Sequence, residues 1–366
     1  MQIDFHHAVT YALSRIAGFR HSEATIIAYA SQYVDDAKNQ GLIQFRDGRT
    51  YDHIASAHTV VPTSIREVGE FRDNLNNALN AEAWLPFHFL PGNLGKLVGD
   101  GREADMVRRL VCTTDSPVAA EMCRDCIDNR NQANGLHRLG ITTHVYADTW
   151  VHRDFVGLNH SFNRIHGLIH DQPGLHALKE DAQSKALAAM PIGHGMVLTL
   201  PDQPFLSWGF VDRDGNSNIR KNTEIFIQAS ERIIAFHRSY RGIENTPFMS
   251  AKDMETLQWA FATFDSEDGD ARHAEWMSLF SQERFSFGAL STQELLELNY
   301  APKGQDSWKY KALKTDAEKD DPSDVFESNP AFDSSDWKLF HDALKDHRSN
   351  VMGVILPKFG LNPSGC

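Results

Sequence analysis

The chain has 366 residues, 41% hydrophobic and 23% charged, a globular composition that excludes a disordered chain. Its formal net charge of -13 excludes a nucleic-acid backbone or an anionic membrane surface as a default partner. A phosphate substrate stays open, because a bound cation reverses the local field.

The opening stretch MQIDFHHAVTYALSRIAGF has no basic leader, and acidic and histidine residues interrupt its apolar run, so a cytoplasmic protein without a signal peptide is expected. No apolar run is long enough to predict a membrane span, and four cysteines are too few for a disulfide framework. Val9, Ala12, Leu13 and Ile16 at helical spacing predict a first helix over Phe5–Ala17, ended by Gly18. Ser22 caps a second helix, which carries Ala24, Ile27, Ala28, Ser31 and Val34 towards the pair Asp35-Asp36. Leu42–Phe45 and Thr50–Ile54 read as a hairpin around Arg46-Asp47-Gly48-Arg49. Trp84–Gly92 is aromatic and proline-punctuated, and is expected as irregular chain packed on the core. Pro117–Phe155 has a helical pattern, kinked near Gly135 or Gly140. Further helices are predicted over Leu175–Met190, Asn222–His237, Asp253–Phe264 and Ala271–Phe280. The charged run through Lys314–Pro322 reads as an insertion or loop, and Asp336–Val354 as a last amphipathic helix. The expected fold class is all-α, mainly helical with a small hairpin and irregular insertions. The expected organisation is a helical metal-binding domain over 1–300, a polar insertion over 301–336, and a C-terminal helix over 337–366 packing back on the domain.

The metal expectation comes from histidine. There are 18, about twice the average frequency, and eight of them lie between His137 and His194. The strongest local signal is His144-Val-Tyr-Ala-Asp148-Thr-Trp-Val-His152. Helix positions four apart differ by only about 40°, so these three side chains project from one face. Two imidazoles and a carboxylate on one stripe are ligands for zinc, iron or manganese. The bland alternative is a solvated polar face with chance histidines.

One helix cannot complete a metal shell. The pair His6-His7 offers one partner at the start of the first helix. Asp35-Asp36 offers another, because anions at a helix C-terminus are unfavourable unless a cation compensates. His58 and His88 are further candidates, and His88, between two phenylalanines, is either a satisfied core histidine or a ligand. His194 stands between two glycines ahead of Pro201-Asp202, as a plain turn, an extra ligand or an acid. Cys123-Arg-Asp-Cys126 is a lone CxxC and reads as structural.

His6 followed by Thr10 and Ala12-Leu13, then Gln32-Tyr-Val-Asp35-Asp36, then His144-x3-Asp148-x3-His152, resembles the zinc-dependent phospholipase C and P1 nuclease superfamily. The whole chain is also similar to an uncharacterised bacterial family, a domain of unknown function. That similarity rests on Ile-Asp-Phe-His, Ser-Gln-Tyr-Val-Asp-Asp, Pro-Phe-His-Phe-Leu-Pro-Gly, and Gly193-His194-Gly195 followed by Pro201-Asp202. The superfamily resemblance implies a phospholipase C-like helical core with His6 as an early ligand and Asp35 or Asp36 as the carboxylate between sites. It implies His58 or His88 as the next histidine, and His144, Asp148 and His152 as the later ligands. The implied chemistry is hydrolysis of a phosphoric ester by metal-activated water. Asp35, Asp148 and His194 are the candidate catalytic groups, and the substrate is a small-molecule or lipid phosphoester. The implied cofactor is Zn2+, one or two ions, with Fe or Mn as the other metals that such ligands take.

Two departures bear on the number of ions. Five residues precede His6 and none is the tryptophan that the superfamily uses at its N-terminus, and His160 is followed by Arg164 where a His-x3-Glu pair would stand. A mono- or dinuclear site is therefore expected rather than a trinuclear one. The competing expectations are a metal-binding protein without turnover and a non-haem iron oxidoreductase.

Overall fold

A helix buried on every side organises the molecule. In Gly135–Val151 each residue except Leu136 is buried, although the sequence includes His137, Arg138, Thr142, His144 and Asp148. Polar groups survive such burial only with partners, so this helix must bring its own polar neighbourhood with it. The structure, a computed structural model, describes residues 1–58, 76–170, 192–243, 249–315, 317 and 323–363.

In chain order, a π-helical turn (Asp4–Val9) runs straight into α1 (Thr10–Ile16), and α2 (His21–Asp36) returns against it. The predicted hairpin forms as β1 (Gly41–Phe45) and β2 (Thr50–His53), paired from Gly41 with His53 to Gln44 with Thr50. Helix α3 (Asn77–Phe87) continues through Pro86 into the stretch expected to be irregular. Then come α4 (Met106–Leu110), α5 (Pro117–Asp128) and the central helix, α6 (Gly135–Val151). The break between α5 and α6 falls ahead of Gly135, and Gly140 lies within α6. Strands β3 (Ile165–His170), β4 (Ser207–Asp212) and β5 (Ser217–Lys221) follow, and the helix expected over Leu175–Met190 lies outside the described residues. The C-terminal half holds α7 (Asn222–Tyr240), α8 (Ala251–Thr263), α9 (Gly269–Phe280), α10 (Thr292–Glu297), α11 (Trp308–Leu313), the short β6 (Val325–Phe326) and α12 (Asp336–Asn350).

The all-α expectation is overturned. Among the described residues 54% are helical and 10% are strand, in two small sheets, a mixed α/β fold. One sheet has the order β2-β1-β6, with β6 parallel to β1; the other is the antiparallel meander β3-β4-β5. The first sheet covers a core of Tyr29, Tyr33, Phe45, Trp337 and Phe340, joined by Trp308, which stacks on Tyr29 at 3.9 Å. The second covers Trp84, Phe89, Phe155, Trp208 and Phe210, beneath the C-terminal end of α6. The largest core lies on the other flank of α6, around Phe5, Phe226, Phe261 and Trp276. Among the described residues, no helix is long and apolar enough to cross a membrane.

Two core histidines set an acid limit on the fold. His237 is enclosed between Ser14 and Thr143, and His347 faces the Pro86 carbonyl at 2.9 Å. Burial pushes each imidazole down to about 3 from an ordinary 6.5. Below pH 6.5 the unfolded chain therefore binds protons that the folded chain refuses, so stability rises with pH across this window and is complete above it. These two groups alone lower the unfolding free energy by ~3 kcal/mol per pH unit from about pH 6 to pH 4. Urea midpoints measured across that range check this, and His237→Gln should flatten the slope by about 1.4 kcal/mol per pH unit.

Candidate metal centre

The π-helical turn is the first device of the site. It buries both His6 and His7 and aims them at different partners. The His6 ring stacks on His144 with centroids 3.7 Å apart, while His7 Nδ1 meets His273 Nε2 at 2.9 Å. The second device is the close crossing of α6 over α2. Gly140 permits it, since a Cβ there would collide with the Ile27 carbonyl oxygen and lie 2.7 Å from Ala30 Cβ. One turn further on, His144 Nδ1 donates to the Ser31 carbonyl at 2.8 Å.

The same arrangement recurs around the site. His152 Nδ1 donates to the His88 carbonyl at 2.8 Å, and His194 Nδ1 to the Leu198 carbonyl at 2.8 Å. His88 Nε2 donates to the Ser56 carbonyl at 3.1 Å. A carbonyl only accepts, so each of these four neutral rings keeps its lone pair on the opposite nitrogen. Those nitrogens converge. His144 Nε2 and His88 Nδ1 are 3.2 Å apart, and both face Asp148 Oδ2, at 3.3 Å and 3.5 Å. With both opposite nitrogens already donating, either one ring takes a second proton or two lone pairs confront each other beside a carboxylate. A cation resolves that confrontation.

Asp148 is the hub. Its Oδ1 lies 2.8 Å from the Met1 α-amine and 3.2 Å from His6 Nε2, and its Oδ2 also faces His152 Nδ1 at 3.4 Å. Burial alone would push this carboxyl up, but His152, the amine, His144 and His6 together hold it well below the ordinary range. The amine also lies 3.2 Å from Asp202 Oδ1; burial opposes its charge, yet Asp148 and Asp202 carry it up to about 11. His6 is pushed down to about 3 by burial and by His144, and His194 down to about 4 by burial. His144 moves up, because Asp148 and Asp35 outweigh its burial.

Among the described residues, three sets bring one ligand atom per residue within 4.8 Å of one another: His6, His144 and Asp148; Asp35, His88 and His144; and His152, His194 and Asp202. Ligand atoms on a tetrahedral zinc lie about 3.3 Å apart. The separations from His6 Nε2 to Asp148 Oδ1 and from His144 Nε2 to Asp148 Oδ2 are 3.2 and 3.3 Å, each to its own oxygen of the carboxylate. His6 Nδ1 is buried without a polar partner, and His6 Nε2, Asp148 Oδ2 and Asp202 Oδ1 are buried with ion-pair contacts at 3.2 to 3.5 Å but no well-aligned hydrogen bond. Buried polar atoms in this condition fit a bound cation.

Of the residues singled out from the sequence, His6, Asp35, His88, His144, Asp148, His152 and His194 meet in these sets. Asp36 turns away, accepting from Tyr300 Oη at 2.6 Å and Gln32 Nε2 at 3.2 Å. His58 stands outside the three sets, in the wall of the adjoining cavity. Asp202 and the Met1 amine were not among the expected ligands. Asp202 had a signal, the Pro201-Asp202 pair close after Gly193-His194-Gly195, whereas no sequence pattern marks the Met1 amine itself. The second sheet contributes a clamp. Arg220, on β5, donates to the Val151 and Arg153 carbonyls at 2.9 and 2.7 Å from a slot between Phe155, Trp208 and Phe210, fixing the backbone on either side of His152. Phe89 stacks on His152 at 4.5 Å, and Gly193 packs on the same ring so closely that a Cβ would collide with it.

The sets open onto a cavity of about 430 Å³ walled by Trp84, Phe89 and Ile192 on its apolar side. No curated protein and no solved structure matches the chain, so neither comparison links it to the phospholipase C and P1 nuclease superfamily. A family model of unknown function, DUF6765, matches residues 1–355, and the chain belongs to that family.

Proposed function

We propose that this protein is a metal-dependent hydrolase of a phosphoric ester, working with one or two divalent ions, in the first place Zn2+. The observation that carries the proposal is the convergence of four imidazole lone pairs, each fixed by a backbone carbonyl, on the carboxylates of Asp35, Asp148 and Asp202. Such carbonyl contacts orient metal-binding histidines and fix their tautomers. The first two sets share the single free lone pair of His144 and so compete for it, while the third, His152, His194 and Asp202, offers three protein ligands where a structural zinc is closed by four and so leaves a position for water or substrate. A divalent ion bound there supplies Lewis acidity and lowers the pKa of a water molecule.

The chain's own residues divide the remaining work. Asp148, fully buried and surrounded by ligands, positions them. Asp35 is half-buried and lines the cavity, so it is the carboxylate placed to take a proton from the attacking water. Lys38, three residues on, adds a cation at the same cavity for an anionic substrate. The Met1 amine lies between Asp148 and Asp202.

Each set is also two histidines and one aspartate, a combination that suits non-haem iron, and this favours a redox enzyme as the second reading. Elemental analysis of protein purified without chelator separates the two. One or two zinc ions per chain are expected, with hydrolysis of bis(para-nitrophenyl) phosphate that His144→Ala abolishes while its circular dichroism stays native. Chelation should lower the Tm, since a ligand of the folded state stabilises it. Well under one metal per chain sinks the proposal, and iron with oxygen-dependent turnover replaces it by the second reading.

A further inference from the structure

The cavity holds more chemistry than its ligands. Outside the three sets, two ionisable side chains among the described residues line it, Lys38 and His58. Hydrolysing an unactivated ester needs a proton for the departing oxygen. Lysine as a residue type keeps its proton at neutral pH and acts as a point charge, while histidine releases its proton there. Lys38, exposed at the end of α2, therefore suits holding an anion and not delivering a proton.

His58 has the features of a donor in reserve. It is half-buried, two residues beyond Ser56, whose carbonyl holds His88, so the chain that orients a ligand also carries His58 to the cavity. Its ring stands edge-on to Trp84, with centroids 6.1 Å apart and planes at 69°. Its Nε2 reaches the Leu79 carbonyl only at 3.5 Å, the outer limit of a hydrogen bond, so the imidazole is steered without being tied. The histidines in the ligand sets contrast with it: four are locked to carbonyls at 2.8 to 3.1 Å.

We propose that His58 is the general acid of the reaction, delivering a proton to the leaving oxygen of the phosphoric ester; this rests on the hydrolase reading. The oxygen of a water molecule bonds to phosphorus as the bond from phosphorus to the ester oxygen breaks. The departing oxygen keeps that electron pair and takes the proton from the His58 imidazolium, so it leaves as the neutral alcohol. His58 ends neutral, and the proton shed by the water passes through Asp35 to solvent, from which His58 is recharged.

The test compares zinc-loaded wild type with His58→Gln and His58→Ala on two diesters. One is bis(para-nitrophenyl) phosphate, whose leaving group needs no proton; the other is dibenzyl phosphate, whose leaving group does. Zinc content should be unchanged in both variants. Hydrolysis of the nitrophenyl ester should stay within about twofold, while that of the benzyl ester falls about 100-fold. Added imidazole should restore part of the lost activity in His58→Ala. Loss of zinc in either variant would make His58 a ligand and overturn the inference, and so would an equal loss of rate on both esters. A wild type that holds zinc yet hydrolyses neither ester overturns the hydrolase reading, and this inference with it.

Discussion

Asp148→Asn is expected to yield folded protein without bound metal, and without hydrolytic activity. The amide keeps the volume of the carboxyl and removes its charge. Five cationic or metal-facing groups lose their common partner at once: the Met1 amine at 2.8 Å, His6 at 3.2 Å, and His144, His152 and His88 at 3.3 to 3.5 Å. Removing one partner of a buried charge pair costs about 3–5 kcal/mol, because the other is left uncompensated. The denaturation midpoint of metal-free protein should drop accordingly, separately from the loss of metal seen by elemental analysis. Asp36→Asn is the control. Its carboxylate is engaged by Tyr300 and Gln32, so this variant should keep its metal. If Asp148→Asn retained full metal, the site would have to be rebuilt around other ligands.

The second large effect reverses an ordinary rule. In a helix interior, Gly→Ala normally stabilises by roughly 1 kcal/mol. Gly140→Ala is expected to destabilise by about 3 kcal/mol, because overpacking here meets atoms that cannot swing aside. The new Cβ would collide with the Ile27 carbonyl and lie 2.7 Å from Ala30 Cβ and 3.0 Å from the Ser31 amide nitrogen. Helices α2 and α6 must then separate, and the 2.8 Å contact from His144 to the Ser31 carbonyl opens. Loss of such an orienting contact lowers metal affinity about 10–100-fold. Thermal unfolding gives the first effect and competition with a chromophoric chelator the second. A raised Tm in Gly140→Ala would disprove the close-crossing account.

What the sequence revealed of the site followed from locality. His144, Asp148 and His152 are related by helical period alone, and period survives any tertiary arrangement. Asp35 and Asp36 differ by about 100° around α2, so choosing between them required Tyr300, 264 residues away. His58 and His88 were alternatives in sequence because both flank the site; Ser56 ties the two segments together and gives each histidine a different place. Asp202 and the Met1 amine join the site only through the tertiary fold.

The second sheet was more legible than the all-α expectation allowed. Arg213-Asp214-Gly215-Asn216 has the same Asp-Gly turn chemistry as Asp47-Gly48, and Trp208 and Phe210 alternate on one buried face. Gly209 between them, where a Cβ would lie 2.6 Å from the Asn218 carbonyl oxygen, interrupts the apolar pattern and hides the strand. Strand β6 is two residues long and parallel to a partner some 280 residues earlier, which no local pattern encodes.

The π-helical turn at Asp4–Val9 amounts to one residue more than the same turn of α-helix would hold. Deleting a residue there would restore regular hydrogen bonding and, at about 100° per residue, rotate everything ahead of the deletion. His6 would leave its stack on His144, and a neighbouring side chain would face the metal ligands in its place. The opening of this chain thus acts as a spacer whose length decides which histidine reaches the centre, and its irregular winding is the condition for that choice.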